Sequence, residues 1–396
     1  MKQIHVVTGL AFGDEGKGLI VDYLCSKSDP SNTIVVRYNG GHQAGHTVKI
    51  GDMTHIHSNF GAGTLRGCPS YISEYCTVYP NTLYNEYVVL KSKGVSPVLY
   101  VDPDAIVCTP YDVAYNRISE LKNNHGSCGL GVGATMKRHH ESPYKFFARD
   151  LLNKQILTHR LSVISNQYYD SIFFKDNWTV EEVDQFQRIA NDELQRFRVA
   201  VEDMFISNKI ILKDFQSAVL PYRNIIFEGA QGVMLDEEYG FFPHVTYSNT
   251  TSHNAIQLIS YLNLDESTNI SAHHVTRCYQ TRHGNGPMTS NAPVKLRNNQ
   301  EETNVWNEHQ KSFKTAILDS IILQYTLGIE HSLILNTGPA DYIRNGCKFN
   351  LYMTCMDQLA PEDYKHARNQ LESLGNQFIS DTYISIGPTA KDVAQI

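Results

Sequence analysis

The chain has 396 residues, 34 of them basic and 41 acidic, giving a formal charge of −7 and a pI of about 6.2. That length asks for one large α/β core or two modest ones, and the acidic balance argues against nucleic-acid polymers and anionic membranes as partners, which need a dominant basic face. Charged residues are 19% of the chain while 23 Tyr and 16 Phe supply core surface, which excludes a disordered chain.

Met1–Gly9 carries no apolar signal core and reads as a short strand, Ile4–Thr8, entering a glycine turn. Thr8-Gly9-Leu10-Ala11-Phe12-Gly13-Asp14-Glu15-Gly16-Lys17-Gly18 follows, and a helix over Lys17–Ser26. Glycines there let backbone N–H groups approach an anion, and the helix N-terminus and Lys17 add positive charge. The segment departs from an ordinary P-loop, because Gly18 stands where Ser or Thr would hold magnesium. Asp14 would repel phosphates unless it binds metal or moves protons.

A second strand, Thr33–Arg37, runs into Tyr38-Asn39-Gly40-Gly41-His42-Gln43-Ala44-Gly45-His46-Thr47. Gly45 between the two histidines makes a zinc-binding helix a poor fit, and an imidazole here suits a general acid or a phosphate contact. Helices are expected over Asn81–Lys93 and Pro110–Asn123, with a strand over Val98–Val101 between them. A glycine cluster, Gly126–Gly133, comes next and includes Cys128 and Gly129. Residues 144–217 are the most helical stretch, with a helix over Val180–Glu202, and read as an elaboration of a single domain spanning 1–396.

Strand Ile225–Phe227 leads into Glu228-Gly229-Ala230-Gln231-Gly232, where the Gln231 amide could read a purine edge, and then to hydroxyls including Thr246. Strand His274–Tyr279 precedes Thr281-Arg282-His283-Gly284-Asn285-Gly286-Pro287. A helix over Thr315–Leu327 and a strand over Ser332–Leu335 complete the expected elements. Alternation of buried strands with helices gives an α/β fold with a mostly parallel, helix-covered sheet. Eight cysteines without a CxxC pair read as reduced thiols, and no apolar run approaches the roughly 18–20 residues of a membrane span, so a cytoplasmic location is expected.

Together these segments resemble adenylosuccinate synthetase, which joins L-aspartate to carbon 6 of IMP using a nucleoside triphosphate. The resemblance rests on GDEGKG at Gly13–Gly18, VVRYNGGHQAGHT at Val35–Thr47, FEGAQGVMLD and VTYSNTT within 227–251, TRHGNGP at Thr281–Pro287, and Ser385-Ile386-Gly387-Pro388. It implies a large P-loop-like α/β domain, Mg2+ as cofactor and a homodimer. Asp14 matches the base that removes the N1 proton, and His42 the general acid; Asp14 and Gly41 match magnesium ligands. Gly13, Glu15, Gly16, Lys17, Gly18, Gly45, His46, Thr47, Cys128, Gly129, Gln231, Thr246, Gly387 and Pro388 fall in the phosphate- and nucleotide-binding motifs.

Departures are equally specific. Where the family has an arginine-rich loop gripping aspartate, Thr303–Asp319 carries Lys311 and Lys314 and no Arg, leaving these lysines and Arg282 for the carboxylates. The guanine-reading Thr-Lys-x-Asp motif becomes Asn336-Thr337-Gly338-Pro339-Ala340-Asp341, which opens the triphosphate to ATP as well as GTP. Lys391 replaces an Arg. These losses resemble the virus-associated branch that aminates GMP or dGMP, although Asp14, often a small residue there, is retained. The expected activity is therefore ligation of aspartate to IMP or to GMP/dGMP. The alternative is a nucleotide-binding sensor or inactive paralogue that has lost its aspartate site.

Overall fold

The computed structural model describes residues 1–123, 128–262, 264, 267–297, 313–337, 346–375 and 378–396. The central sheet contains β1 (Gln3–Gly9), β2 (Thr33–Arg37), β3 (Ser70–Ile72), β4 (Leu99–Val101), β5 (Ile211–Leu212), β6 (Asn224–Glu228), β7 (Asn269–Arg277), β8 (Lys348–Thr354), β9 (Asp381–Ser385) and β10 (Val393–Gln395). Their spatial order is β10-β9-β8-β7-β1-β6-β2-β3-β4-β5. Every pairing is parallel except β9 with the edge strand β10. Burial on both faces explains the unbroken apolar runs: all five residues of Thr33–Arg37 are buried.

Because the strands run in parallel, the loops leaving β1, β2, β6, β7, β8 and β9 gather at one edge, beyond the strands' carboxyl ends. Open α/β sheets bind ligands in that position. The central strand β1 lies between β6 and β7, so the loop after it occupies the middle of that edge.

Three expectations are corrected. Ser332–Leu335 is not a strand but part of an 18-residue helix, Ser320–Thr337. Conversely, Thr315–Ile317 is not helical: Lys314–Ile317 pairs antiparallel with Tyr279–Arg282. The expected His274–Tyr279 strand is two elements, one ending at Arg277 and the next starting at Tyr279.

Between 144 and 217 lie helices Lys154–Phe174 and Val180–Val201, and a short helix, Phe215–Val219, starts at the end of that stretch. Val180–Val201 is started by a capping box, in which Thr179 Oγ1 accepts from the Glu182 amide and Glu182 accepts from the Thr179 amide. Its buried Phe186 and Phe197 join Tyr79, Ile118 and Val101 in one apolar cluster against the β4 side of the sheet. Five of the eight cysteines are buried and all are free thiols. Among the described residues no helix is long and apolar enough to cross a membrane.

Candidate active site

A cavity of about 950 Å³ opens at the carboxyl edge of the sheet. Of the residues singled out in the sequence, Gly13, Asp14, Glu15, Gly16, Lys17, Gly18, Gly45, His46, Thr47, Cys128, Gln231, Thr246, Arg282, Gly387 and Pro388 line it. They come from the connections after β1, β2, β4, β6, β7 and β9, so one edge unites motifs scattered across the chain.

The loop after β1 is shaped by backbone conformations in the left-handed region: Gly13 at φ 83°, Asp14 at φ 55° and Gly16 at φ 87°. For Asp14 this is an unusual conformation, held by contacts from β7 and beyond. Arg277 Nε donates to its carbonyl, and Thr281 Oγ1 donates to the Gly13 carbonyl at 3.4 Å. The Asp14 carboxylate is about one-third exposed, with Oδ2 3.3 Å from His283 Nε2. Thr354, closing β8, donates to the Glu15 carbonyl at 2.8 Å and fixes the loop from the other side.

Glu15 and Lys17 turn inward. Glu15 Oε1 accepts from the amides of Leu10 (3.1 Å) and Ala11 (2.7 Å), while Lys17 Nζ donates to the Gln231 carbonyl. Burial raises the Glu15 carboxyl to about 7 against the opposing pull of Lys17. Burial also lowers the Lys17 ammonium below its ordinary value. A Cβ on Gly9 would lie 2.3 Å from Glu15 Oε2 and 2.7 Å from the Gln231 carbonyl, so only glycine admits this packing.

His46 Nδ1 pairs with Glu228, whose other oxygen accepts from the Ala62 amide at 3.0 Å. Burial opposes the Glu228 charge, but His46 and Arg37 outweigh it and hold the carboxylate below its usual range. This fully buried pair ties the end of β6 to the hairpin His46–Ile50 and Met53–His57.

Gly41, His42, Gly129 and Lys314 do not line the cavity. His42 is buried; Nε2 lies 2.9 Å from the Leu130 carbonyl, and Nδ1 3.4 Å from the Thr77 hydroxyl. Burial lowers its pKa to about 4, so the ring is neutral at pH 7. A Cβ on Gly41 would lie 1.8 Å from Thr77 Oγ1. The Gly129 carbonyl accepts from Arg117 at 3.1 Å. Asp14 and His42 are thus not brought together on the cavity wall.

Arg282 and Lys314 face each other across the β-ribbon; both Nη atoms of Arg282 and Nζ of Lys314 reach protein carbonyls, while Arg282 Nε is buried without a partner. Arg282 donates to the carbonyls of Pro287 (2.6 Å) and His244 (2.8 Å) and lies over the Phe12 ring, its pKa lowered by burial to about 10. Lys314 donates to the Gly286 carbonyl at 3.0 Å. Lys311 lies outside the described residues, as do Gly126, Ser127 and Gly338–Asp341.

Sequence reading missed Arg277 and His283 as site residues, and also Lys49 and Lys137, which bring further positive charge to the lining. His283 stands in a quoted glycine motif, so its position was visible; its partner was not.

A sequence profile described as adenylosuccinate synthetase matches residues 6–345. Adenylosuccinate synthetase of Clostridium perfringens is 28% identical over 340 residues, covering 81% of this chain and 73% of that protein. The Borrelia duttonii enzyme is 30% identical over 256 residues, 62% of this chain, and the match spans only 56% of that relative's length. The fully ligated adenylosuccinate synthetase of Plasmodium falciparum superposes with a TM-score of 0.67 at 18% identity, covering 99% of both chains. The succinoaminodeoxyadenylate synthetase of cyanophage S-2L, solved with dGMP and with dATP as energy donor, superposes at 0.65 and 16% identity over 100% of this chain and 95% of its own. At those identities the two structures establish the shared fold.

Proposed function

Because this chain belongs to the adenylosuccinate synthetase family, we propose that it is a purine nucleotide ligase. It phosphorylates O6 of a 6-oxopurine nucleoside monophosphate, IMP or GMP/dGMP, with ATP or GTP. L-Aspartate then displaces the phosphate to give an N6-succinyl purine nucleotide. The carbonyl oxygen of a 6-oxopurine is a poor leaving group; its phosphate ester is a good one, so phosphorylation must precede the attack by the amine.

The observation that carries this reading is the placement of Asp14, a partly exposed carboxylate on the cavity wall, held from the backbone by Arg277 and faced by His283. Asp14 takes the N1 proton, which sends electron density to O6 for attack on the γ-phosphate. His283 orients the carboxylate. Lys17, the first residue of the helix that follows the loop and part of the cavity lining, offsets charge on the transferring group. His42 acts as a neutral donor whose Nε2–H, facing the Leu130 carbonyl in this structure, passes to a phosphate oxygen.

The donor set suits magnesium in part. The Asp14 carboxylate, a hard oxygen on the cavity wall, fits, whereas Gly41 lies off the wall and its carbonyl accepts from the Ala44 amide at 3.1 Å. Held by Asp14 and substrate phosphates, the ion would supply charge neutralisation. A homodimer is part of this proposal, and only the likeness to the family supports it.

The commitment of Arg282 and Lys314 to carbonyls favours a second reading, a nucleotide sensor without an aspartate site. One experiment separates the two. Each of IMP, GMP and dGMP is incubated with ATP or GTP and L-aspartate, and product mass is read together with phosphate release. The ligase gives an aspartate adduct with one monophosphate at least; a sensor binds nucleotide and gives none.

A further inference from the structure

Strand Met53–His57 presents two faces. Thr54 and Ile56 line the cavity, while His55 and His57 point the other way, buried against Glu86 of helix Pro80–Ser92. We propose that His55, His57 and Glu86 form a binding site for a divalent transition-metal ion of the zinc class, fastening the hairpin that walls the cavity.

Three observations carry this. The ligand atoms already converge: His55 Nε2 is 3.4 Å and His57 Nδ1 3.7 Å from Glu86 Oε1, and all three atoms lie within 4.8 Å of one another. Ligands about 2.1 Å from a tetrahedral zinc sit roughly 3.4 Å apart, so the His55–Glu86 edge already fits, the 3.7 Å His57–Glu86 edge closes by a few tenths of an ångström, and the edge between the two imidazoles, within 4.8 Å, closes the most. Second, His57 is 0% exposed and neither ring nitrogen has a hydrogen-bond partner. Buried polar atoms are rarely left so, and a metal would satisfy one of them. Third, Glu86 is set up as an anionic ligand. Its Oε2 accepts from the amides of Ser58 (3.1 Å) and Asn59 (2.6 Å) and from Asn59 Nδ2 (2.9 Å), while Oε1 accepts a long bond from the Phe60 amide (3.4 Å) and faces the imidazoles.

Two imidazoles and one carboxylate select zinc-like ions over magnesium, and three protein ligands leave a fourth position open. Lys93 Nζ lies 3.2 Å from His55 Nδ1 and 2.6 Å from the Thr54 carbonyl. Metal binding at Nε2 moves the ring proton to Nδ1, so Lys93 gives up that contact and keeps its bond to Thr54.

The test uses the full chain, stripped with chelator and titrated with Zn2+ under excess Mg2+. We expect one Zn2+ per chain retained through gel filtration, with visible d–d bands of tetrahedral intensity when Co2+ is substituted. His55→Val, suited to a strand, should bind Zn2+ at least about 100-fold more weakly, beyond the loss of an outer hydrogen bond. Should that variant not fold, the Co2+-loaded unmodified chain gives the ligand count by NMR, with two paramagnetically shifted imidazole N–H signals expected. Failure to retain Zn2+, equal retention by a folded His55→Val, or fewer than two shifted signals overturns the proposal.

Discussion

The imidazole of His283 stands 3.3 Å from the carboxylate of Asp14, Nε2 to Oδ2, linking the loop after Arg282 to the loop after β1. His283 itself rests against the ring of Phe313, with centroids 4.9 Å apart. If it orients the base, His283→Ala lowers kcat about ten-fold, the order expected for one hydrogen bond to a charged group. Steady-state kinetics should show the triphosphate KM changed by less than about three-fold, because the lost contact does not bind phosphate. A loss confined to KM would remove His283 from this role.

His42 is neutral and buried, its pKa lowered to about 4. Activity should therefore not follow an imidazolium titration between pH 6 and 8. His42→Asn, which keeps an N–H donor of similar reach, should retain more activity than His42→Ala, which loses about 10²-fold in kcat. The comparison is made on kcat at saturating nucleotide; equal losses in the two variants would contradict donor function.

Gly9→Ala tests the packing beneath the phosphate loop. Its Cβ would fall 2.3 Å from Glu15 Oε2, 2.7 Å from the Gln231 carbonyl and 2.9 Å from Lys17 Nζ. Since one of these is backbone, the strain cannot be relieved by a rotamer alone. We expect about 1–3 kcal/mol of destabilisation and weaker triphosphate binding, read by calorimetric melting and by titration with nucleotide.

Glu330 provides a pH test away from the cavity. It is fully buried on helix Ser320–Thr337, accepts from the Ser252 amide at 3.1 Å, and has its pKa raised by burial to about 7. The folded state thus holds a proton that the unfolded state releases near 4.5. Stability is fullest below that value, falls as pH rises through about 7, and levels above it, a loss of order 3 kcal/mol. Glu330→Gln should flatten this dependence, with denaturant midpoints diverging from the parent at pH 8 more than at pH 5.

The reach of the sequence depended on how local each signal was. Thr33–Arg37 and Pro110–Asn123 were legible to the residue, because β-branched runs bounded by turns and apolar spacing after Pro110 need no distant partner. Ser332–Leu335 was misread because helix Ser320–Thr337 is apolar nearly all round, so a four-residue window carries no period. Thr315–Ile317 became a strand only because Tyr279–Thr281 lies alongside. The glycine motifs located most of the cavity lining, but where His42 and Arg282 point was set by Leu130, Pro287 and His244, which spacing does not reveal.

The base role of Asp14 is tested most directly by mass-resolved product formation in the parent chain and in Asp14→Ala, supplied with 6-oxopurine monophosphate, triphosphate, Mg2+ and L-aspartate. The parent should yield one succinylated nucleotide per phosphate released, and a folded Asp14→Ala should yield neither above background. Undiminished product from that variant, or phosphate release from the parent with no aspartate incorporated, would contradict the account.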